Sequence, residues 1–299
     1  MRIAITGSHG LIGHALTQHL RRGGHEVVRL VRSAPVSPDE RRIDLAAGRI
    51  EAPGLADVDA VVNLAGSGIA GARWTAARKR DLRSSRLSTT LTVVNALSEQ
   101  GEEGRCRVLL SGSAIGFYGD RGDEVLTETS AGGRGFLAHL VRDWEQSAGQ
   151  APEDVRVVTL RTGHVIAATG GLIGKQALFY KLGLGGRIGS GRQWVSWISL
   201  RDWCRAAEHL LTSQVAGPVN LVGPAPVRNA DLTKALGRAY RRPTWLPLPL
   251  PVARLVFGSE MVADAMLAGQ RVMPEVLAGD GFAFTDATID EALAGAGVR

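Results

Sequence analysis

Residues 2–13 read Arg2-Ile3-Ala4-Ile5-Thr6-Gly7-Ser8-His9-Gly10-Leu11-Ile12-Gly13. The first five residues form a short, mostly apolar run, which is typical of a strand buried on both faces. After the glycines, apolar residues recur at helical spacing until Gly23 and Gly24 end the pattern. The stretch therefore predicts a buried strand, a glycine-rich turn and an amphipathic helix, in that order.

The same alternation continues along the chain. Strand-like apolar runs recur at residues 27–31, 60–64, 108–111, 155–160 and 219–222, and helical patterns occupy residues 75–99 and 136–149. Strands that alternate with helices favour a parallel sheet covered by helices on both sides. We therefore expect an α/β fold with a doubly wound parallel sheet.

The composition of the chain changes after about residue 165. Glycines are frequent between residues 170 and 191, a helix is predicted at 200–211, and four prolines between 243 and 251 predict a stiff extended connector. We expect a nucleotide-binding domain formed by residues 1–165 and about 199–225. The remaining residues, 166–198 and 226–299, are expected to form a smaller C-terminal lobe.

Charge and composition exclude several classes of protein. The chain has 299 residues, a hydrophobic content of 44% and a net charge of +6, which describes a folded globular protein with scattered basic residues. No basic run has the density of a nucleic-acid-binding arm, so no nucleic-acid partner is expected. Two cysteines and the five-residue spacing of His9, His14 and His19 do not predict a metal site. No signal peptide or bilayer-spanning stretch is recognised, so we expect a cytoplasmic protein without a membrane partner.

The glycine-rich turn is the candidate cofactor site. The spacing of Gly7, Gly10 and Gly13 lets backbone N–H groups and the helix N-terminus approach a pyrophosphate. The alternative is a glycine turn that only closes the helix onto the sheet. The predicted cofactor contacts in this stretch are Gly7, Ser8, His9, Gly10, Leu11, Ile12 and Gly13.

The end of the second strand bears on which dinucleotide is bound. NAD-binding proteins place a carboxylate there for the ribose 2′-hydroxyl, whereas an arginine accommodates the 2′-phosphate of NADP. This sequence has Arg32 and Ser33 after the strand and no carboxylate at that point. We therefore favour NADP(H), although a solvated arginine at a strand end gives the same pattern.

These residues resemble the extended short-chain dehydrogenase/reductase superfamily, which implies a Rossmann-type fold with a smaller C-terminal α/β lobe. The resemblance assigns cofactor contacts to Asp44, Leu45, Asn63, Leu64, Ala65, Gly66, Gly163 and Val165, and it places Ser113 where the superfamily has its catalytic serine. Residues 73–86, 116–124, 189–197 and 260–274 resemble an epimerase-like subgroup that carries a C-terminal domain of unknown function.

The Tyr-x-x-x-Lys pair of the superfamily is absent. Alignment of the helix near residues 136–145 with the superfamily pattern places Leu137 and Val141 at the tyrosine and lysine positions, and neither side chain transfers protons. Tyr118, which follows the Ser113 strand, is the first alternative acid/base. Further candidates for proton transfer are His139, Arg142 and His164.

The sequence is compatible with two different functions. The chain is expected to be an NADP(H)-binding epimerase-like or reductase-like enzyme that acts on an unidentified nucleotide sugar or carbonyl compound, with Ser113 and Tyr118 as catalytic residues. The alternative is a non-catalytic NADP(H)-binding regulatory or redox-sensing protein. We expect a monomer or a homodimer, since the apolar face of helix 75–99 suits either a dimer interface or an intramolecular contact.

Overall fold

The strands of the chain follow the predicted alternation closely. The computed structural model describes residues 1–70, 72–101 and 104–298. Its strands are β1 (Arg2–Thr6), β2 (Glu26–Val31), β3 (Glu40–Asp44), β4 (Arg49–Ile50), β5 (Ala60–Asn63), β6 (Val108–Ala114), β7 (Val125–Leu126), β8 (Arg156–Thr162), β9 (His164–Ile166), β10 (Trp194–Val195), β11 (Trp197–Ser199), β12 (Gly217–Leu221), β13 (Val227–Arg228) and β14 (Arg271–Val272).

The helices connect and cover these strands. They are α1 (Leu11–Arg22), α2 (Ala76–Glu99), α3 (Phe136–Ala148), α4 (Gly171–Lys181), α5 (Leu200–Thr212), α6 (Asn229–Tyr240), α7 (Leu250–Phe257), α8 (Ser259–Met261), α9 (Glu275–Gly279) and α10 (Ile289–Gly295). A 3₁₀ turn occupies Ile115–Tyr118, and a π-helical turn occupies Val262–Leu267. None of the helices in the described ranges combines the length and apolar character needed to cross a bilayer.

One large sheet forms the centre of the fold. In the described residues its strand order is β12-β8-β6-β5-β1-β2-β3-β4, and every neighbouring pair is parallel except β3 and β4. The chain order proceeds outward from β1 in both directions. A crevice therefore opens at the carboxyl ends of β1 and β5, where ligands bind in open α/β sheets. The expected Rossmann-type α/β class is confirmed.

Alternating side chains of β1 build the core on both faces of the sheet. Ile3 and Ile5 pack with α1 and α5, whereas Ala4 packs with residues of α2. The apolar face of α2 is used inside the chain, because Val94 and Leu97 are buried in the same cluster as Ala4. A third cluster joins α4, α6 and α10 in the later part of the chain. The exact division into two domains stays a prediction.

A buried chain of hydrogen bonds fixes the two central strands at the crevice. Thr6 Oγ1 donates to Asn63 Oδ1 over 2.7 Å, so the carboxyl ends of β1 and β5 are joined through side chains. The Asn63 amide nitrogen in turn donates to Thr90 Oγ1 of α2 over 2.9 Å, and Trp144 Nε1 of α3 donates to the same oxygen over 3.0 Å. One threonine hydroxyl therefore ties the sheet to two helices.

Replacement of Thr90 should destabilise the fold strongly. Thr90→Val keeps the shape of the side chain but leaves the Asn63 amide and the Trp144 indole N–H without their acceptor. We expect a loss of about 2–4 kcal/mol in the free energy of unfolding, since each unpaired buried donor costs about 1–3 kcal/mol. Urea denaturation measures this loss.

Thr89→Val is the matched control for this prediction. Thr89 is also buried on α2, but its hydroxyl donates to the Ser85 carbonyl of the same helix. We expect this change to lower the free energy of unfolding by less than about 1 kcal/mol. Equal losses in the two variants would show that Thr90 is not the link between the elements.

Candidate cofactor and active site

The glycine-rich turn packs backbone against backbone. Gly7 has φ of 66°, and a Cβ atom there would lie 2.9 Å from the Leu64 carbonyl carbon. A Cβ atom on Gly13 would lie 2.3 Å from the Gly7 oxygen. Glycine is therefore required at both positions for α1 to start directly beside the turn. At Gly10 the added atom would meet only the Gly7 oxygen, at 3.2 Å, so this position faces outward from the turn.

The start of α1 has the properties of an anion site. Gly10 supplies no capping side chain, and the sequence places no acidic residue in the first turn. The first N–H groups of a helix have no partner within the helix and attract negative charge. Ser8 is almost fully buried, and among the residues that the structure describes none hydrogen-bonds its hydroxyl. Leu11 and Ile12 are partly buried, and the His9 side chain is exposed beside Glu40.

The end of β2 carries an unpaired cation. Arg32 and Ser33 are exposed, and no carboxylate of the described ranges forms an ion pair with Arg32. Glu40 of β3 lies opposite Arg29 of β2, where its carboxylate accepts the Val36 N–H over 2.7 Å and pairs with Arg29 at 3.1 Å. The sequence reading did not identify this acid, because Glu40 belongs to the next strand.

Asp44 and Leu45 form a turn after β3. The Asp44 carboxylate accepts the N–H groups of Ala46 and Ala47, both over 3.0 Å. These backbone hydrogen bonds lower the pKa of Asp44. Leu45 packs against the core cluster on the α2 side of the sheet. The carboxylate thus shapes the turn, and the adenine contact assigned to these two residues stays a prediction.

The loop after β5 is held from both sides. Thr6 Oγ1 accepts the N–H groups of Leu64 and Ala65, over 2.9 and 3.1 Å. Arg86 of α2 donates to the Ser67 carbonyl over 3.0 Å, and a Cβ atom on Gly66 would lie 3.2 Å from this arginine side chain. Burial, followed by the nearby Arg78 charge, lowers the pKa of Arg86 to about 10. In the described part of the chain no carboxylate forms an ion pair with Arg86.

A buried ion pair lies beneath Ser113. The Ser113 hydroxyl donates to Glu145 Oε1 over 2.6 Å. Arg161 binds both oxygens of the same carboxylate, over 2.8 and 2.9 Å. Ser113 and Arg161 are neighbours in register on β6 and β8, so the sheet itself brings these three groups together.

The sequence-based predictions did not include Glu145 or Arg161 among the site residues, although two features of the sequence could have revealed them. Glu145 follows Leu137 and Val141 at intervals of four residues, so it shares one face of α3 with the positions of the superfamily pair. Arg161 is a charged residue that directly follows the strand-like run at residues 155–160. A buried charge at that place requires a partner.

Tyr118 is enclosed by the core. Its side chain is fully buried, and its hydroxyl lies 2.7 Å from Asn220 Oδ1 and 3.0 Å from the Thr127 carbonyl. The hydroxyl also accepts a hydrogen bond from Arg161 over 3.0 Å. Burial raises the pKa of Tyr118. These contacts leave the phenol no exposed surface toward a substrate.

The other proton-transfer candidates lie in different surroundings. His139 and Arg142 are on exposed positions of α3, and their side chains contact each other over 2.9 Å. Burial lowers the pKa of His164. Gly163 packs tightly, because a Cβ atom there would lie 2.7 Å from the Ser196 oxygen, and Val165 belongs to the core.

Two clefts open beyond the carboxyl end of β6. The first has a volume of about 490 Å³ and is lined by Gly116, Gly119, Asp120, Arg121, Gly132, Gly133, Arg134, Gly135, Leu137, Ala138 and Asp264. Asp264 accepts the Phe136 N–H over 3.1 Å, so a residue of the C-terminal part caps the start of α3. The second cleft, of about 460 Å³, shares Asp120 with the first and contains Arg192 and Arg228. The residues of the glycine turn line neither cleft, so the candidate substrate space is separate from that turn.

Comparison with known proteins agrees with this geometry. The model of the NAD dependent epimerase/dehydratase family matches residues 3–223, and a domain of unknown function, DUF1731, matches residues 248–296. The chain belongs to the NAD dependent epimerase/dehydratase family. The resemblance to epimerase-like proteins with a C-terminal domain of unknown function is therefore confirmed.

Relatives align along the full length of the chain. An epimerase family protein of Mycobacterium bovis is 44% identical over 99% of this chain and 98% of its own length. The structure of the human epimerase family protein SDR39U1 with NADPH has a TM-score of 0.91 and 32% identity, covering 100% of this chain and 99% of that chain. A nucleoside-diphosphate sugar epimerase from Corynebacterium glutamicum has a TM-score of 0.79 and 35% identity over 98% of this chain and 57% of that chain.

Loss of the Arg161 charge should destabilise the protein. Arg161→Met leaves the Glu145 carboxylate buried without its cation, and we expect the free energy of unfolding to fall by about 3–5 kcal/mol. The double variant Arg161→Met/Glu145→Leu removes both charges and should recover most of this loss. Denaturant unfolding of both variants checks the prediction, and a double variant as unstable as the single one would contradict it.

Proposed function

We propose that the chain is an NADP(H)-dependent oxidoreductase of the epimerase type whose substrate extends from the first cleft to Ser113, which precedes the cleft residue Gly116 in the chain. The observation that carries the proposal is the unpaired Arg32 beside an uncapped helix start with a glycine turn. A cation at this place suits the 2′-phosphate that distinguishes NADP from NAD. The human relative that was solved with NADPH supports this choice.

The residues present fit a dinucleotide. The uncapped N–H groups of α1 and the partnerless Ser8 hydroxyl offer hydrogen bonds to a pyrophosphate. The outward position of Gly10 leaves room for close approach to the backbone. The loop from Asn63 to Gly66 lies at the end of the neighbouring strand, where the cofactor would extend across the switch point.

Arg86 contributes a second positive charge to the proposed dinucleotide site. It lies against the loop at Gly66, burial lowers its pKa, and among the described residues no carboxylate forms an ion pair with it. An anion at this loop would relieve the unfavourable burial of the guanidinium. We assign Arg86 to the pyrophosphate, which NADPH and NADH have in common, and Arg32 to the 2′-phosphate.

Ser113 is the candidate catalytic residue on the substrate side. When bound, NADP(H) supplies or accepts a hydride. Because the Ser113 hydroxyl already donates to Glu145, its lone pairs are free to accept a hydrogen bond from a substrate hydroxyl. A proton leaving that hydroxyl would pass to Ser113 while the serine proton passes to Glu145. Arg161 stabilises the carboxylate, so this transfer is unfavourable and turnover should be slow.

The substrate class is a nucleotide sugar or another carbonyl compound. Arg192 and Arg228 line the second cleft together with Asp120 and Asp123, and Arg228 pairs with Asp123 at 2.6 Å, so Arg192 is the cation that could face a phosphate there. The name of the Corynebacterium glutamicum relative supports a nucleoside-diphosphate sugar. A cytoplasmic location, and either a monomer or a homodimer, remain part of the proposal.

A non-catalytic NADP(H)-binding regulator is the second candidate. The observation that favours it is the replacement of the Tyr-x-x-x-Lys pair by Leu137 and Val141, together with the complete burial of Tyr118. Under this alternative, Tyr118 holds Arg161 in place and takes no part in chemistry. The two candidates share the cofactor site and differ only in hydride transfer.

Arg32 should select NADPH over NADH. Arg32→Asp removes a charge-assisted contact and adds repulsion, so we expect NADPH affinity to fall by about tenfold or more while NADH affinity is unchanged or rises. Energy transfer from tryptophan to the bound cofactor measures both affinities. Arg80→Asp, on an exposed position of α2, is the control. Wild-type protein that binds NADH as tightly as NADPH would contradict the assignment.

Arg86 should affect both cofactors equally. Arg86→Gln removes a charge directed to the shared pyrophosphate, and we expect a loss of roughly tenfold in affinity for NADPH and for NADH. Arg83→Gln, on an exposed position of the same helix, is the matched control. The same titration checks this prediction, and a loss confined to NADPH would show that Arg86 faces the 2′-phosphate instead.

Ser113 should be needed for any hydride transfer. NADPH consumption is followed with aldehydes, ketones and oxidised nucleotide sugars, and we expect slow turnover that Ser113→Ala lowers by roughly tenfold to a hundredfold. Cofactor affinity should change less than about twofold, since the hydroxyl faces the substrate. Tight NADPH binding without hydride transfer to any compound would favour the regulatory candidate.

A further inference from the structure

An exposed apolar surface lies on the later part of the chain. Its side chains are 52–88% exposed, and they are Leu178, Phe179, Leu182, Leu184, Trp245, Leu246, Val252, Leu255 and Val256. We name these nine residues the apolar face. Isolated exposed apolar residues are common, whereas a contiguous group marks a place of interaction.

Backbone contacts join the two segments that carry the apolar face. Leu248 N donates to the Arg187 carbonyl over 2.9 Å, and the Arg242 side chain donates to the Lys181 carbonyl over 3.0 Å. Ile188 and Leu248 form a β-bridge. The end of α4 and its following loop therefore lie directly beside the connector that leads into α7.

Each of the two helices turns an apolar stripe toward solvent. On α7, Val252, Leu255 and Val256 have the i, i+3, i+4 spacing of one helix face. Leu178 near the end of α4 and Leu182, which directly follows the helix, are four residues apart. A helix of a globular protein normally places polar residues on its solvent face. Both helices here depart from that pattern.

The surroundings of the apolar face are strongly basic. Residues 155–201 and 232–259 contain no aspartate or glutamate. Five exposed cations lie in the joined segments: Lys181, Arg187, Arg241, Arg242 and Arg254. Within the described residues no carboxylate forms an ion pair with any of the five, in contrast to the nearby Lys234–Asp231 and Arg238–Asp290 pairs.

We propose that the apolar face docks onto an anionic phospholipid bilayer surface. Apolar side chains that enter the headgroup region, bordered by lysine and arginine, are the features of proteins that lie on membranes. Trp245, which is 88% exposed, is the residue type that favours the membrane interface. Docking of this kind needs no spanning helix. The proposal therefore departs from the sequence-based expectation of no membrane partner, which rested on the lack of a signal peptide and of a bilayer-spanning stretch.

A second copy of the chain suits this surface less well. A two-fold interface centred on the apolar face would place the five cations of one copy opposite those of the other, with no acidic residues to separate them. An acidic protein partner would satisfy the charges. However, side chains that are more than half exposed fit the fluid headgroup region of a bilayer better than the rigid surface of a protein partner.

Vesicle sedimentation tests the proposal on the full chain. The two vesicle preparations are phosphatidylcholine alone and phosphatidylcholine with about 30% phosphatidylglycerol. We expect at least roughly tenfold stronger binding to the anionic vesicles, with a further loss at high salt. Trp245→Ser/Leu255→Ser and Arg241→Gln/Arg254→Gln should each weaken this binding by about tenfold.

Matched controls lie outside the apolar face. Val36→Ser changes an equally exposed apolar residue, and Arg49→Gln/Arg80→Gln changes two exposed arginines. These controls should bind anionic vesicles like the wild type, and all variants should keep the wild-type circular dichroism and NADPH affinity.

Three outcomes would overturn the proposal. The first is absence of binding to anionic vesicles, and the second is equal binding by the face variants and the controls. The third is a dimer that sedimentation velocity detects in the wild type and that Trp245→Ser/Leu255→Ser dissociates without any vesicle binding. That result would assign the face to a second copy. None of these outcomes bears on the proposed cofactor, because NADPH affinity is measured separately.

Discussion

The hydrogen bond between Thr6 and Asn63 connects the two central strands at the point where a cofactor would cross the sheet. Thr6 also fixes the N–H groups of the loop that follows β5, and Asn63 continues to Thr90 and from there to Trp144. Trp144 precedes Glu145 on α3, so the same chain of contacts positions the carboxylate under Ser113. Because these groups are buried, any one of them that lost its hydrogen-bond partner would destabilise the fold. The hydrogen bonds of this network therefore depend on one another.

The sequence predicts the fold well where burial alone determines structure. Continuous apolar strands and the glycine turn were sufficient for the parallel sheet, since few other arrangements bury both faces of such strands. The short strand β3, with the sequence Glu-Arg-Arg-Ile-Asp, and the glycine-containing helix α4 were not predicted. Their residues have weak intrinsic preferences for these conformations, and contacts from distant parts of the chain determine them.

The candidate site was predictable in position but only partly in detail. The spacing of glycines locates the turn, because only backbone conformation and close approach matter there. The direction of the Tyr118 side chain, by contrast, depends on Asn220 and Arg161, which lie far away in the sequence. The order of the elements was enough to place Tyr118 near the end of β6. It was not enough to predict that the Tyr118 phenol is buried. The Glu145–Arg161 pair required the register of β6 against β8.

The buried ion pair itself argues for a role in positioning. Arg161 and Glu145 are both largely removed from solvent, and desolvation of two charges offsets most of their attraction. Apolar residues of similar size would stabilise the fold as well or better, so stability does not account for the pair. Its geometric effect is specific: the carboxylate receives two hydrogen bonds from Arg161 and one from Ser113, which fixes the serine proton toward Glu145. The serine lone pairs are thereby left for a ligand, next to a helix that lacks the superfamily tyrosine and lysine.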